Sequence, residues 1–289
     1  MSIRVPVVNG LHRGAVELHQ TVRSAREFLP HLFNVALFAA LAGWRHGSVR
    51  GSDAPASAMV LAGGVAAMIV STAWTTLPQV MAAERQDGTL LRLRGIPFAA
   101  PAYVVGKTLY TAVVAVVSAV ALLLVGAAVN GTGLPDTVGR WLTLGWVLVL
   151  GLASVVPVGA ALGASLPNAR GAVALLMMPV LGLMGVSGVF FPVTSMPGWL
   201  QTVAEVFPLK WLAQGVRSAL MPDSALAAET GHSWQHGQTA AVLAAWTVAG
   251  FVIAPAVLRR AGRGASGARL VERERPSEAP ARLMEGSSR

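Results

Sequence analysis

The sequence predicts an all-α integral membrane protein with six transmembrane helices and both termini in the cytoplasm, and three observations carry that prediction. Of the 289 residues, 54% are hydrophobic and 12% charged, with a mean hydropathy of +0.60; soluble globular domains are more polar. Six stretches, 28–44, 56–82, 103–129, 140–166, 172–191 and 239–258, contain no Asp or Glu. Each is of a length that crosses a bilayer, since about 20 residues at 1.5 Å rise span the hydrocarbon. The basic residues, finally, are sorted to one side. With the termini inside, 17 of the 22 Lys and Arg fall in the inner segments 1–27 and 83–107, at Arg170, and in 259–289. The outer segments hold Arg45, Arg50, Arg140, Lys210 and Arg217, matched by Asp53, Asp136, Glu205, Asp223 and Glu229. Such asymmetry of Lys and Arg sets orientation.

The same sorting accounts for a pI near 11.4 without nucleic acid, because no aromatic side chains interleave with the arginines of the tail. The chain has no Cys, hence no disulfide framework and no thiolate metal site. Ala-, Gly- and Arg-rich usage suggests a GC-rich bacterium, and therefore the bacterial plasma membrane as location. The spans lack the acidic groups by which proton- or sodium-driven carriers usually work. If the chain moves a substrate, the energy is expected from another polypeptide.

Ahead of the first span, Leu11, Ala15, Leu18, Val22, Ala25 and Leu29 recur at steps of three and four, with His12, Arg13, Glu17, Gln20, Arg23 and Arg26 between them. This predicts an amphipathic helix lying on the inner membrane surface, with a soluble helix packed on a partner as the alternative. Arg23 and Arg26 before an apolar stretch ending in Ala40-Leu41-Ala42 look like a cleavable signal. More membrane follows rather than a secreted domain, so 28–44 reads as an uncleaved first span.

Between spans five and six, Ser195-Met196-Pro197 starts a short helix running to about Phe207, and Pro208 starts another. In the second, Leu209, Leu212, Val216 and Leu220 share one face while Lys210, Gln214 and Arg217 occupy the other. Neither helix crosses a bilayer. The segment reads as a re-entrant pair dipping into the outer leaflet, with Trp199 and Trp211 at head-group depth. The sixth span stops at Arg259-Arg260, and the tail's composition predicts disorder from 262. The chain thus divides into a cytoplasmic segment 1–27, a six-span domain 28–258 and a basic tail 259–289.

Several motifs point to chemistry and fail on context. Gly106-Lys107-Thr108 looks like the end of a phosphate-binding loop, but the glycine required five positions earlier is Pro101 and no strand precedes it. Lys107 reads instead as an anchor snorkelling to the inner head groups. Gly185-Val186-Ser187-Gly188 resembles the nucleophile motif of intramembrane proteases, yet the sixth span holds no His to activate the serine. Gly182, Gly185 and Gly188, like Gly159 and Gly163, fit close helix packing better. Ser71, Thr72, Thr75, Thr76 and Gln79 form a polar stripe on the second span. They line a transport path, or else their hydroxyls bond back to the helix. No metal-ligand cluster is present.

The loop between spans two and three reads Glu84-Arg85-Gln86-Asp87-Gly88-Thr89-Leu90-Leu91-Arg92-Leu93-Arg94-Gly95-Ile96-Pro97. Its leucines would meet water unless a partner or the membrane surface covers them. The stretch through Leu90, then Pro97 and Gly106-Lys107, resembles the loop of type-2 ABC transporter permeases, the exporters of drugs, polysaccharides and lipids. A second stretch comprises Gly188-Val189-Phe190-Phe191-Pro192-Val193, Met196-Pro197-Gly198-Trp199-Leu200, Pro208-Leu209 and Gly215-Val216-Arg217. It resembles the segment after the fifth span in the daunorubicin-exporter branch. The likeness covers residues 10–260, roughly.

The resemblance implies a membrane half-transporter that is not itself an enzyme. A second permease chain, expected as an identical copy, would pair with it in membrane lipid. Separate ATP-binding-cassette subunits would dock on the inner face and bind ATP and Mg, leaving no cofactor on this chain. Carried over, Glu84, Arg85, Asp87, Gly88, Leu90, Leu91 and Leu93 would form the coupling contact to the ATPase. Phe191, Pro192, Pro197, Trp199, Pro208, Trp211 and Arg217 would belong to the outer re-entrant gate, with Thr72, Thr75, Thr76 and Gln79 as path lining. The expected activity is outward movement of a hydrophobic or amphiphilic substrate such as a drug, a lipid or a lipid-linked molecule. The rival classes are an ion-driven secondary carrier and a non-transporting scaffold or accessory subunit.

Overall fold

A computed structural model of the chain describes residues 4–87, 99–131, 134–166 and 168–274. Helices account for nearly all of them, and the one β-bridge among the described residues pairs Ser48 with Pro55. The helices are α1 (Arg4–Arg23), α2 (Ala25–Trp44), α3 (Ala56–Ser71), α4 (Leu77–Gln86), α5 (Ala99–Asn130) and α6 (Val138–Ser165). They continue as α7 (Ala169–Val186), α8 (Gly198–Val206), α9 (Pro208–Leu220) and α10 (His236–Glu274).

Four helical stretches are long and apolar enough to cross a membrane: Ala56–Gln86, Ala102–Val129, Val138–Ser165 and His236–Leu258. Two further apolar stretches, Leu29–Trp44 and Ala174–Val186, are shorter. The 31 residues of Ala56–Gln86 extend about 45 Å, enough for the hydrocarbon and both interfaces. That stretch is not uniform. Thr72–Thr76 forms a π-helical turn between α3 and α4, and Pro78 supplies the reason. Pro78 has no N–H to give the carbonyl of Trp74 four residues back, and its ring would clash there. The ladder slips by one residue instead, and the Leu77 N–H bonds Thr72 O. Single π-turns of this kind mark functional positions in helices.

α3 is the centre of the molecule, buried around its whole circumference over most of its length. Small residues allow this. A Cβ at Gly63 would overlap the carbonyl of Val189, and one at Gly64 would meet Phe38 of α2 at 2.8 Å. The π-turn packs as closely on α6, where a Cβ at Gly159 would overlap the carbonyl oxygen of Ala73. Gly163, one turn on, faces Pro78 and Met81. The glycines of α7 differ from their expected role: Gly182 and Gly185 have nothing within 4 Å of a would-be Cβ. Their spacing does not serve packing inside this chain.

The amphipathic start of the chain becomes α1, which lies against the first turns of α5. Gly10 and Gly14 face Val105 and Leu109, and Gly106 faces Gly10 O. α7 stops at Val186, short of the expected 191, because Gly188 adopts φ 75° and turns the chain. α10 passes Arg260 and continues to Glu274 through a stretch rich in the helix formers Ala, Arg, Leu and Glu.

Side-chain bonds gather the inter-helix segments at two ends of the bundle. At one end Ser52 Oγ donates to Ser224 O at 2.8 Å, and Arg140 reaches Asp223 at 3.5 Å and Asp136 at 3.3 Å. At the other, α1, the end of α4, the start of α5 and the end of α6 converge. These are the groupings by which the charges were sorted.

Candidate functional site: a charge cluster at one end and a buried latch at the other

At the end where α1, α4 and α5 meet, Lys107 lies between two carboxylates on different elements. Its Nζ is 2.8 Å from Glu17 Oε2 of α1 and 2.5 Å from Glu84 Oε1 of α4. Arg13 bonds the other oxygen of Glu17 at 3.1 Å, and its guanidinium lies 4.9 Å from the centroid of the Tyr103 ring. Two cations and two carboxylates thus join α1, α4 and α5. Lys107 is 4% exposed, which corrects the snorkelling expectation. The lysine points into protein because two acids await it there, and water would be the poorer partner at that depth.

Arg85 turns the other way. Its guanidinium donates to Leu166 O at 2.9 Å and Ala164 O at 2.6 Å, with Gly163 O at 3.4 Å. These are carbonyls at and just beyond the C-terminus of α6, where a helix leaves acceptors unpaired and favours a cation. Of the expected coupling residues, then, Glu84 and Arg85 are spent on contacts inside this chain and Asp87 is exposed. Gly88, Leu90, Leu91 and Leu93 lie outside the described residues.

The four path-lining residues part company. Thr72 is buried. Thr75 donates its hydroxyl back to Ser71 O, the bland alternative for such residues. Thr76 and Gln79 line a cavity of about 360 Å³ at the end that holds the charge cluster, bounded by α1, α2, α4 and α5. The π-turn is held in place by the Trp74 indole, which donates to Val155 O of α6 at 3.0 Å.

At the opposite end the two short helices form as expected, with Pro197 at the N-cap of α8 and Pro208 opening α9. Their setting differs from expectation. Every residue of α9 is buried, the polar face included, because α3, α6 and α10 surround it. Arg217 is fully buried and paired with Glu229 at 2.5 and 3.0 Å, while its Nη1 donates to Gly188 O at 2.9 Å. This ties α9 to the turn after α7 and to the segment before α10. Trp199 is 68% exposed, as an interfacial anchor is, whereas Trp211 is 6% exposed and donates its indole N–H to Glu205 O at 2.7 Å. Trp211 is therefore a packing residue and not a head-group anchor. Lys210 Nζ is buried without a hydrogen-bond partner and stacks 3.4 Å from the Trp211 ring centroid. Burial pushes its ammonium down to about 8, with the Glu205 carboxylate pulling the other way.

Phe191 and Pro192 line a smaller cavity of about 260 Å³ with Arg45 and Arg50. Ser187, the candidate protease nucleophile, is buried with no hydrogen-bond partner. No base activates it.

A profile of the ABC-2 type transporter family matches residues 15–221, from within α1 to just past α9. The chain belongs to the ABC-2 type transporter family. It is thus a multi-pass membrane protein of the class that forms the permease subunit of ABC transporters, a transport subunit rather than a catalyst, and such permeases normally work with an ATP-binding subunit. Among curated proteins none matches the chain.

Proposed function

We propose that this chain is the membrane half of an ATP-driven exporter that moves a hydrophobic or amphiphilic substrate outward across a bacterial plasma membrane. Two copies pair, and a separate cassette subunit binds ATP and Mg and docks on residues 84–94. The arrangement is that of six spans with both termini inside, and the outer pair α8–α9 acts as the gate. The resemblance of Gly188 to Pro192 and of Gly215 to Arg217 to the drug-exporter branch favours an amphiphilic drug or lipid-like molecule.

The observation that carries the reading is the anchoring of α4. Its last turn is clamped on one side by Glu84–Lys107–Glu17 and on the other by Arg85 on the α6 carbonyls. A push on the loop that follows is delivered at once to α1, α5 and α6. A loop that only connected two spans would need no such clamp. The same α4 is continuous with the π-turn, so displacement at the inner face reaches mid-helix through one rigid element.

The test is to purify the chain with its cassette and measure ATP hydrolysis with and without it, then transport in vesicles with the ion gradients dissipated. Hydrolysis raised by the permease, and transport that needs ATP but no gradient, support the reading. Transport that collapses with the gradient and ignores ATP makes the chain a secondary carrier.

A further inference from the structure

The inner cavity beside α4 has no role in the docking scheme, and its lining is unusual for a membrane protein. His31 and Asn34 of α2, with Thr76 and Gln79 at the π-turn and α4, are half-buried around it. None of the four spends its side chain on another residue among those described. Half-buried amides, a hydroxyl and an imidazole left unpaired near a bilayer cost free energy unless water or a ligand meets them. Tyr110 adds an aromatic wall.

We propose that this cavity is a head-group site, taking the uncharged, hydroxyl- or amide-bearing head of an amphiphile that enters from the inner leaflet. The charge balance selects an uncharged head. The acids at the cavity edge, Glu17 and Glu84, are already matched in charge by Arg13 and Lys107, and the second oxygen of Glu84 is buried with no hydrogen-bond partner among the described residues. A cation or an anion would find no free counter-charge among the described residues, whereas a neutral donor could meet that oxygen. The groups that remain each carry both a donor and an acceptor or a reorienting hydroxyl, the chemistry that reads hydroxyls and amides. An amphiphile is indicated because the same turns of α2 expose Leu29, Leu32 and Phe33. A head held by His31 and Asn34 can leave its chain along that apolar flank.

Pro78 builds the site. By forcing the ladder to slip at Thr72–Thr76, it rotates the residues beyond the bulge, Gln79 among them, relative to a regular helix. Pro30, also at the cavity, removes one backbone donor from α2 and leaves the carbonyl of residue 26 without its usual bond. The inference rests on the transporter reading only for the direction in which the amphiphile travels; the site itself belongs to one protomer.

The experiment uses the full chain with its cassette in phosphatidylcholine nanodiscs. The probe is an alkyl glucoside with a diazirine near the sugar end of its chain, and adducts are mapped by mass spectrometry. Adducts are expected on α2 and α4 at the cavity, competed away by dodecyl maltoside but not by dodecyltrimethylammonium or dodecyl phosphate. The double variant Asn34→Leu, Gln79→Leu should lose labelling by roughly tenfold, two hydrogen bonds being removed at about threefold each. Gel filtration and cassette co-purification check its folding, and Gln79→Asn alone should retain most labelling. Competition by all three detergents alike, or unchanged labelling in the folded double variant, overturns the proposal. Head-group-dependent labelling in a preparation whose ATP hydrolysis ignores the permease supports the site while removing the transporter reading, so the two failures are distinguishable.

Discussion

Three buried ionic groups set the predictions at the scale of single residues. Lys107 holds two carboxylates, so Lys107→Met leaves Glu84 without a cation and Glu17 with Arg13 alone. Breaking a buried pair of this kind costs about 3–5 kcal/mol. A fall in unfolding temperature is expected, with most of it recovered when Glu84→Gln is added; no recovery would mean that Lys107 acts through packing alone. At the other end, Arg217→Met should be more damaging than the paired change Arg217→Met, Glu229→Leu, since the double variant leaves no orphaned carboxylate. Equal damage in the two would remove the latch. Lys210 is the opposite case, an ammonium stacked on the Trp211 ring with no hydrogen-bond partner among the described residues. Its folded pKa of about 8 lies below the ordinary 10.5. Folding therefore favours the neutral form, with the stabilising effect complete above pH 10.5 and lost as pH falls toward 8. Lys210→Met should raise the unfolding temperature at pH 7, and the gain should shrink as the pH approaches 10.5. These residues were visible in the sequence only as charges. Nothing in Lys107 or Arg217 alone tells that an acid from another element lies opposite, because both partners are distant along the chain.

At the scale of helices, the close approaches are as informative as the bonds. Gly159 lies against the Ala73 carbonyl and Gly182 against nothing, although both sit in a similar glycine spacing. Gly159→Val should prevent assembly of the bundle, judged by gel filtration, while Gly182→Val should leave the monomer's folding intact. The reverse result would mean that α3 and α6 are not packed through the π-turn. The apolar runs were legible in composition because burial in lipid or protein demands them, and the prolines at 197 and 208 marked the short outer helices correctly. The burial of α9 was not legible. Its Lys210, Gln214 and Arg217 give it the amphipathic pattern of a surface helix, and only tertiary packing supplies Glu229, Ser233 and Gln235 as partners for the polar side. The slip at Thr72–Thr76 was also hidden, though Pro78 in mid-span was its signal.

At the scale of the whole molecule the claims are orientation and coupling. Because the chain has no Cys, single cysteines report cleanly. Ser52 and Ser224 meet at one end of the bundle, and Ser52→Cys and Ser224→Cys should react with an impermeant thiol reagent outside intact cells. Ser266→Cys should react only after lysis, and labelling of it from outside would reverse the positive-inside assignment. Family membership was readable from two stretches at 84–107 and 188–217, both of which lie within the matched residues 15–221. The clamp behind the first stretch was not, since Arg85 had every appearance of a rim charge for a partner. With Glu84 and Arg85 committed inside this chain, the proposed docking falls to Asp87 and the leucines beyond it, which are expected to fill a groove on the cassette. Truncating both leucines removes about 1–3 kcal/mol each of buried apolar contact. The most direct measurement is therefore cassette co-purification and substrate-stimulated ATP hydrolysis for Leu90→Ala, Leu91→Ala in membranes where the variant inserts normally. Both quantities should drop together while the membrane bundle stays intact. If both remain at wild-type levels, residues 84–94 are not the coupling element and the account of this chain as a cassette-driven permease is contradicted.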